Sequence, residues 1–505
     1  MLFSSGTFIY LFLPITLIGY QLLSRFGRTT LLGWLALSSL AFYAFWNPTY
    51  LLLLAASILL NFMFSLVIGR ETNSETSRSR WLKMAIIANL LLLVWFKYLF
   101  PLLGFFNRHG LLHHGFGDVL LPLGISFFTF TQIAYLIDLR EGIAKLQGLL
   151  PYTVFVTFFP HLIAGPIIHP RHIMPQLDAD RMGTLRADDV ALGLSWFIMG
   201  LIKKVLIADH FAIRANALYA DPAHFGPAVT WIGVISYTLQ LYFDFSGYSD
   251  MAVGLARMFS IEFPFNFDSP YKATSIIDFW QRWHMTLSRY LAEYLYTPIQ
   301  RSVNRRRLKA GKKITRKAQA TPAGFIAMVI YPTMATMFIA GIWHGAGLQF
   351  LVFGILNGIF LVINHAWRIW TPKGHPLHQK LPGVCAVLLT FVSVLVTHVF
   401  FRAGDVHQGL YVLQSMVGLH GTSSGPLRSF AGGAAYVAAA LFVVWAMPNT
   451  QEILGQITHD TIRLPSLLPR FYWKPTAIWS IVLMILFCAS ILMLDTTGSF
   501  LYFQF

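Results

Sequence analysis

The feature that most constrains this chain is the recurrence of apolar runs long enough to cross a bilayer. A helix needs about 20 predominantly apolar residues to span the hydrocarbon core. Such runs fall near residues 7–25, 30–46, 48–68, 84–106, 118–138, 150–169, 189–208 and 227–257, and again near 322–342, 346–367, 382–401, 430–447 and 476–494. The window rule therefore predicts about thirteen spans. In lipid, only helices and closed barrels satisfy their own backbone. Short alternating strands of the barrel kind are absent. The expected fold class is an all-α polytopic membrane protein, a single integral-membrane domain over residues 1–505. Only 11% of the residues are charged, against about 25% in a soluble domain. The opening MLFSSGTFIYLFLPITLIGYQLL has no basic region and no clear small-residue cleavage site, so it reads as a retained first span.

The formal net charge is +16. Much of it lies in short loops between apolar runs, where it sets topology, so no nucleic-acid partner is implied. Arg25 and Arg28 follow the first run. Arg70, Arg78, Arg80 and Lys83 follow the third, and Arg140 and Lys145 the fifth. Basic loops face the cytoplasm, which places the N-terminus outside. RSVNRRRLKAGKKITRKAQ (residues 301–319) has no acidic residue and should also be cytoplasmic. Parity then requires residues 278–300 to enter or cross the membrane, or to lie in its interface.

That segment, within IDFWQRWHMTLSRYLAEYLYTPI (277–299), is expected to form a helix over 278–295 with two faces. Asp278, Arg282, Arg289 and Glu293 fall on one face, with Asp278–Arg282 and Arg289–Glu293 at pairing distance. Trp280, Trp283, His284, Leu287, Leu291 and Tyr294 fall on the other. An ionisable side chain at membrane depth is costly and marks a functional candidate. An amphipathic interfacial helix with an incidental histidine is the alternative. The charge density favours a buried re-entrant element lining a cavity.

His344 stands in GIWHGAG (341–347) between two apolar runs. Its glycines permit close approach of a backbone or ligand. His344 alone in that stretch can exchange a proton near neutral pH, and burial would hold it neutral, as a general base requires. A packed histidine bonded to a carbonyl at a helix junction is the competing reading.

Other polar insertions have plainer explanations. FDFSGYSDMAVGLARMF (243–259) places Asp244, Ser246, Ser249 and Asp250 in an apolar helix, either as a kink satisfied by neighbours or as a tunnel wall. Lys203 and Lys204 are expected to snorkel. His161, His169 and His172 lack a nearby carboxylate or cysteine, so no metal site is assigned. His113 and His114 fall in a polar loop. Cys385 and Cys488 lie in apolar runs and fix no redox compartment. There is no Walker A, GxSxG or HExxH sequence.

Several stretches together carry a resemblance. LPLGISFFTFTQIAYLIDLREG (121–142), FFPHLIAGPI (158–167) and FDFSGYSDMAVGLARMFSIEFPFNFDSPY (243–271) occur in order. DFWQRWHMTLSRYLAEYLYTPI, the WHG of 343–345 and the closing LYFQF follow. The chain resembles the MBOAT superfamily of membrane-bound O-acyltransferases, specifically its bacterial alginate O-acetyltransferase, AlgI-like branch. The resemblance implies a multi-helix fold with re-entrant helices and a central tunnel. It maps the family's catalytic histidine onto His344 and the second histidine of the branch onto His284. Trp343, Trp283, Arg282, Gln281 and Asp278 flank them as candidates for substrate binding. Where the branch usually has Arg-Arg, this chain has Gln281-Arg282.

The resemblance further implies a donor of acetyl-CoA or another acyl thioester on the cytoplasmic side, with no tightly bound cofactor. The implied acceptor is an exported polymer such as alginate or cellulose. The implied partners are a periplasmic or cell-surface acyltransferase, the polysaccharide synthase and export machinery, and membrane lipids. The implied location is the bacterial cytoplasmic (inner) membrane. His344 would take the acceptor hydroxyl proton and return it to the leaving thiolate, with an acyl-histidine intermediate as the less favoured variant. His284 would orient the acceptor or stabilise the oxyanion. The cations of 301–317 would serve topology or donor docking. A multi-span transporter or flippase, or an export-complex subunit without acyl chemistry, is the alternative from another class.

Overall fold

The computed structural model describes residues 1–108, 121–178, 182–183, 185–371, 383–420, 427–454, 473–494 and 500–501. His113, His114 and the last four residues of LYFQF lie outside the described residues. Those described form helices and connecting segments without a β-strand. The fold is therefore all-α and polytopic. Seven helices among the described residues are long and apolar enough to cross a membrane: Phe8–Phe26, Pro48–Ile68, Glu75–Leu103, Ala187–Ala220, Pro322–His344, Leu348–Trp370 and Gly383–Arg402.

The window rule predicts more spans than this in part because an apolar run is not always one helix of spanning length. The run at 118–138 yields a 16-residue helix, Ile125–Arg140. The run at 150–169 breaks at Phe158 (φ −47°, ψ 112°) into Leu149–Thr157 and Phe159–Leu162. Pro160 sits in the first turn of the second piece, where a missing N–H is tolerated. Mean hydropathy over a window registers neither the short helix nor the break.

The chain folds into two compact units. The first comprises Met1–Leu206, Phe245–Phe265 and Lys474–Gln504; the second is chiefly Ile207–Asp244 and Asn266–Trp473.

In the first unit, Ala187–Ile202 packs on the last part of the long helix Pro227–Met258. A Cβ on Gly193 would lie 2.6 Å from the Gly254 carbonyl oxygen, and one on Gly247 2.7 Å from that of Gly200. The pairings 193–254 and 200–247 run in opposite directions along the two sequences, so the helices are antiparallel. Lys203 Nζ meets Asp250 Oδ2 at 2.5 Å, and Arg257 meets Asp189 at 2.8 Å. Gly247, Asp250, Gly254 and Arg257 recur every three or four residues and form one helical face. Asp250 is thus part of a helix-packing seam, and the helix that carries the polar insertion runs unbroken from Pro227 to Met258, so it is not a kink. The expectation that Lys203 snorkels is also corrected. Its side chain is only 14% exposed and is paired, and Lys204 is buried.

In the second unit, Tyr331–His344 and Leu348–Trp370 form a helical hairpin joined by Gly345–Ala346–Gly347. The short connection makes them antiparallel neighbours. A Cβ on Gly341 would lie 2.6 Å from the Phe350 carbonyl oxygen and 3.0 Å from Gly354 Cα. The two backbones therefore touch where the first helix approaches its end.

Candidate active site

His344 is the last residue of its helix, and Gly345 leaves the helix with extended dihedrals. The residue is 8% exposed. Phe353 of the hairpin partner meets its imidazole edge-on at 5.5 Å between centroids, and Phe401 of Gly383–Arg402 at 5.0 Å. Trp343 packs beside it at 4.7 Å. A side chain at Gly345 would overlap the Phe350 ring, so the wall behind His344 has no room for one. His344 is thus a titratable group in an aromatic enclosure, held by three helices.

His284 departs from the expected helix. Residues 278–295 do not form one helix: Ile276–Arg282 ends at Trp283, and Met285–Leu291 begins after His284. His284 itself is left-handed, with φ 42° and ψ 54°. The expectation of one continuous two-faced helix through it is therefore incorrect. An L-residue in this region costs about 1–2 kcal/mol, and such a conformation persists only where the surroundings over-determine it.

Asn266 does so. Its carbonyl accepts from Met285 N–H at 2.9 Å. Its side-chain oxygen accepts from Thr286 N–H at 3.3 Å and Thr286 Oγ1 at 2.9 Å. The first N–H groups of a helix have no intrahelical acceptor, and here Asn266 supplies one from outside the helix. The same Asn266 oxygen lies 2.9 Å from His284 Nδ1. An atom that accepts a backbone N–H is the amide oxygen, so Nδ1 must carry the proton. In the neutral ring Nε2 is then the lone-pair nitrogen. That tautomer can accept a hydroxyl proton. It cannot donate to an oxyanion, so of the two roles expected for His284, orientation of an acceptor hydroxyl fits better.

The flanking candidates divide. Arg282 donates through Nε to Asp278 Oδ1 at 2.8 Å and through Nη1 to the Asp268 carbonyl at 3.3 Å. Asp278 also accepts from Thr274 N–H. Asp268 N–H donates to the Arg282 carbonyl, and Asn449 Nδ2 donates to Asp268 Oδ1. Asp278 and Arg282 thus tie the short helix to the strap at 266–269. Gln281 is exposed, whereas Trp283 and Trp343 are buried. Trp283 stands among Phe279, Phe267, Tyr271 and His398, with centroids 5.0–6.2 Å away.

Sequence reasoning missed Asn266 and His398. Asn266 lies inside the 243–271 stretch, but its role depends on a partner eighteen residues away. His398 is one polar residue in an apolar helix. Its partner Thr238 is 160 residues distant, and no local pattern announces it.

A family model described as MBOAT, membrane-bound O-acyltransferase family, matches residues 40–312. The chain belongs to the membrane-bound O-acyltransferase family. It is an AlgI-like member and an O-acyltransferase. It is 40% identical over 451 residues to a peptidoglycan O-acetyltransferase of Helicobacter pylori, covering 84% of this chain and 81% of that protein. It is 35% identical to a probable alginate O-acetylase AlgI of Azotobacter vinelandii, with both proteins covered in full. A teichoic acid D-alanyltransferase of Bacillus subtilis is 26% identical over 64% of this chain and 78% of its own length. The family match includes His284 and ends before His344, whereas the Azotobacter alignment spans both.

Proposed function

We propose that this acyltransferase moves an acetyl group from a cytoplasmic thioester donor, acetyl-CoA, across the cytoplasmic membrane of a bacterium for O-acetylation of an exported polysaccharide. Three relatives support the acceptor class: their names give peptidoglycan, alginate and teichoic acid as acceptors. The observation that carries the chemistry is His344, a buried imidazole at a glycine-packed helix end, walled by Phe353 and Phe401.

In this reading His344 accepts the proton of the acceptor hydroxyl as its oxygen attacks the acyl carbonyl. The C–S bond breaks, and the proton passes from His344 to the departing thiolate. A positioned general base contributes roughly 10²–10⁴-fold, and orientation supplies much of the rest. His284 holds the acceptor hydroxyl through Nε2, its tautomer set by Asn266. Trp283 and Trp343 shape the walls. The acceptor at this site is a periplasmic or cell-surface acyltransferase, or a carrier presented by the synthase and export machinery. The cations of residues 301–317 lie on the donor side, consistent with anionic CoA.

Proteoliposomes test the reading. Labelled acetyl-CoA is presented on one face and an oligosaccharide with its periplasmic transferase on the other. Label should cross and become ester-linked with wild type and fail to do so with His344→Gln at equal reconstitution. Equal transfer by both proteins would refute the assignment.

A further inference from the structure

A third histidine lies against the machinery and has no role in the chemistry above. His398 is 3% exposed, on Gly383–Arg402. Its Nδ1 shares a 3.2 Å hydrogen bond with Thr238 Oγ1. The Thr238 carbonyl in turn accepts from Tyr271 O–H at 2.7 Å. Tyr271 packs against Phe391 at 5.3 Å and near Trp283 at 6.2 Å. The His398 ring stands 5.6 Å from Trp283, the residue that immediately precedes the left-handed His284.

Phe391, His398 and Phe401 follow at i, i+7 and i+10, one stripe of a single helix. They touch Tyr271, Trp283 and His344 in that order. One rigid helix therefore contacts the His344 ring and the residue beside His284. Asn266 holds His284 from one side, and the Trp283 ring, backed by His398, anchors the chain just before it. A phenylalanine would fill the space of His398. The polar pairing with Thr238, in a buried apolar setting, fixes the ring's rotation instead.

We propose that His398 is a positioning residue: bonded to Thr238, it orients Trp283 and sets the placement of His284 relative to His344. The inference rests on the acyl-transfer reading above. It predicts a catalytic defect without loss of donor binding. A displacement of about 1 Å at a reacting group can cost on the order of 100-fold in rate.

The test measures kcat and KM for acetyl-CoA in the proteoliposome assay for four variants. His398→Phe should lower kcat about 10- to 100-fold and leave KM unchanged. Thr238→Val, which keeps shape and removes the hydroxyl, should do the same. The double variant should be no worse than either single, because both remove one interaction. His398→Asn, which returns a polar atom near the position of Nδ1, should recover most of the rate. A wild-type kcat for His398→Phe overturns the proposal, as does multiplication of the two defects or an Asn variant no better than Phe. Should His398→Phe fail to accumulate in membranes, Thr238→Val decides, with loss of kcat supporting the role and wild-type turnover refuting it. His344→Gln in the same preparation separates the two readings. If it is inactive while His398→Phe is normal, only the positioning role falls. If it is active, the acyl-transfer assignment falls too.

Discussion

Alanine at Gly341 should damage catalysis more than assembly. Its Cβ would lie 2.6 Å from the Phe350 carbonyl oxygen, 3.0 Å from Gly354 Cα and 3.2 Å from Gly354 N. These are backbone atoms, which cannot rotate away. Ordinary contact begins near 3.4 Å, so the hairpin helices must part by about 0.8 Å there, the size of a modest core overpacking. Overpacking costs about 1–3 kcal/mol, partly offset by about 1 kcal/mol of better helix propensity. The folded enzyme should survive. His344 lies three residues further along the same helix, and its wall residue Phe353 sits on the partner beside Gly354. Separation at Gly341 therefore shifts the imidazole relative to its enclosure. A fall in kcat of about 10- to 100-fold is expected, measured as acetyl transfer per molecule of reconstituted protein. Gly33→Ala, with nothing within 4 Å of its Cβ, should leave the rate unchanged. Wild-type turnover by Gly341→Ala would refute the claim that this backbone contact places His344.

Three further outcomes follow from the polar anchors. Asn266→Ala removes the acceptor of Thr286 and the partner of His284 Nδ1; stability should fall by about 1–3 kcal/mol, read by thermal unfolding in detergent, and kcat should fall more than donor KM rises. Arg282→Lys cannot span Asp278 and the Asp268 carbonyl with one planar fork; it should lower the unfolding midpoint, and Arg282→Ala should lower it further. In the first unit, Lys203→Met removes the ammonium that Asp250 Oδ2 meets and should cost about 3–5 kcal/mol, whereas Lys203→Met with Asp250→Leu should recover most of that loss. A double variant as unstable as the single would contradict the pairing argument.

Much of the fold was legible because membrane helices announce themselves in composition. The apolar runs at 48–68, 346–367 and 382–401 are helices with nearly those bounds, and the Asp278–Arg282 pair forms as i,i+4 spacing suggests. His344 was legible as a junction histidine, since glycines on both sides of it mark a helix end and close backbone approach. What failed was anything needing a distant partner. A wheel through 278–295 assumes one helix, and nothing local reveals that Asn266 stabilises a left-handed residue at 284. Lys203 looks like a snorkelling lysine because Asp250 lies 47 residues further on. His398 is indistinguishable from a packed core residue until Thr238, Trp283 and the i+3 relation to Phe401 are in place.

In the proposed mechanism His344 is the general base of acyl transfer for polymer acetylation. Its most direct test is polymer-linked acetyl, measured by NMR of the exopolysaccharide from cells carrying wild type or His344→Ala at matched membrane levels. In His344→Ala the acetyl signal should disappear while polymer yield is unchanged. Retained acetylation would contradict the assignment of His344, and loss of the polymer itself would point to export rather than acyl transfer.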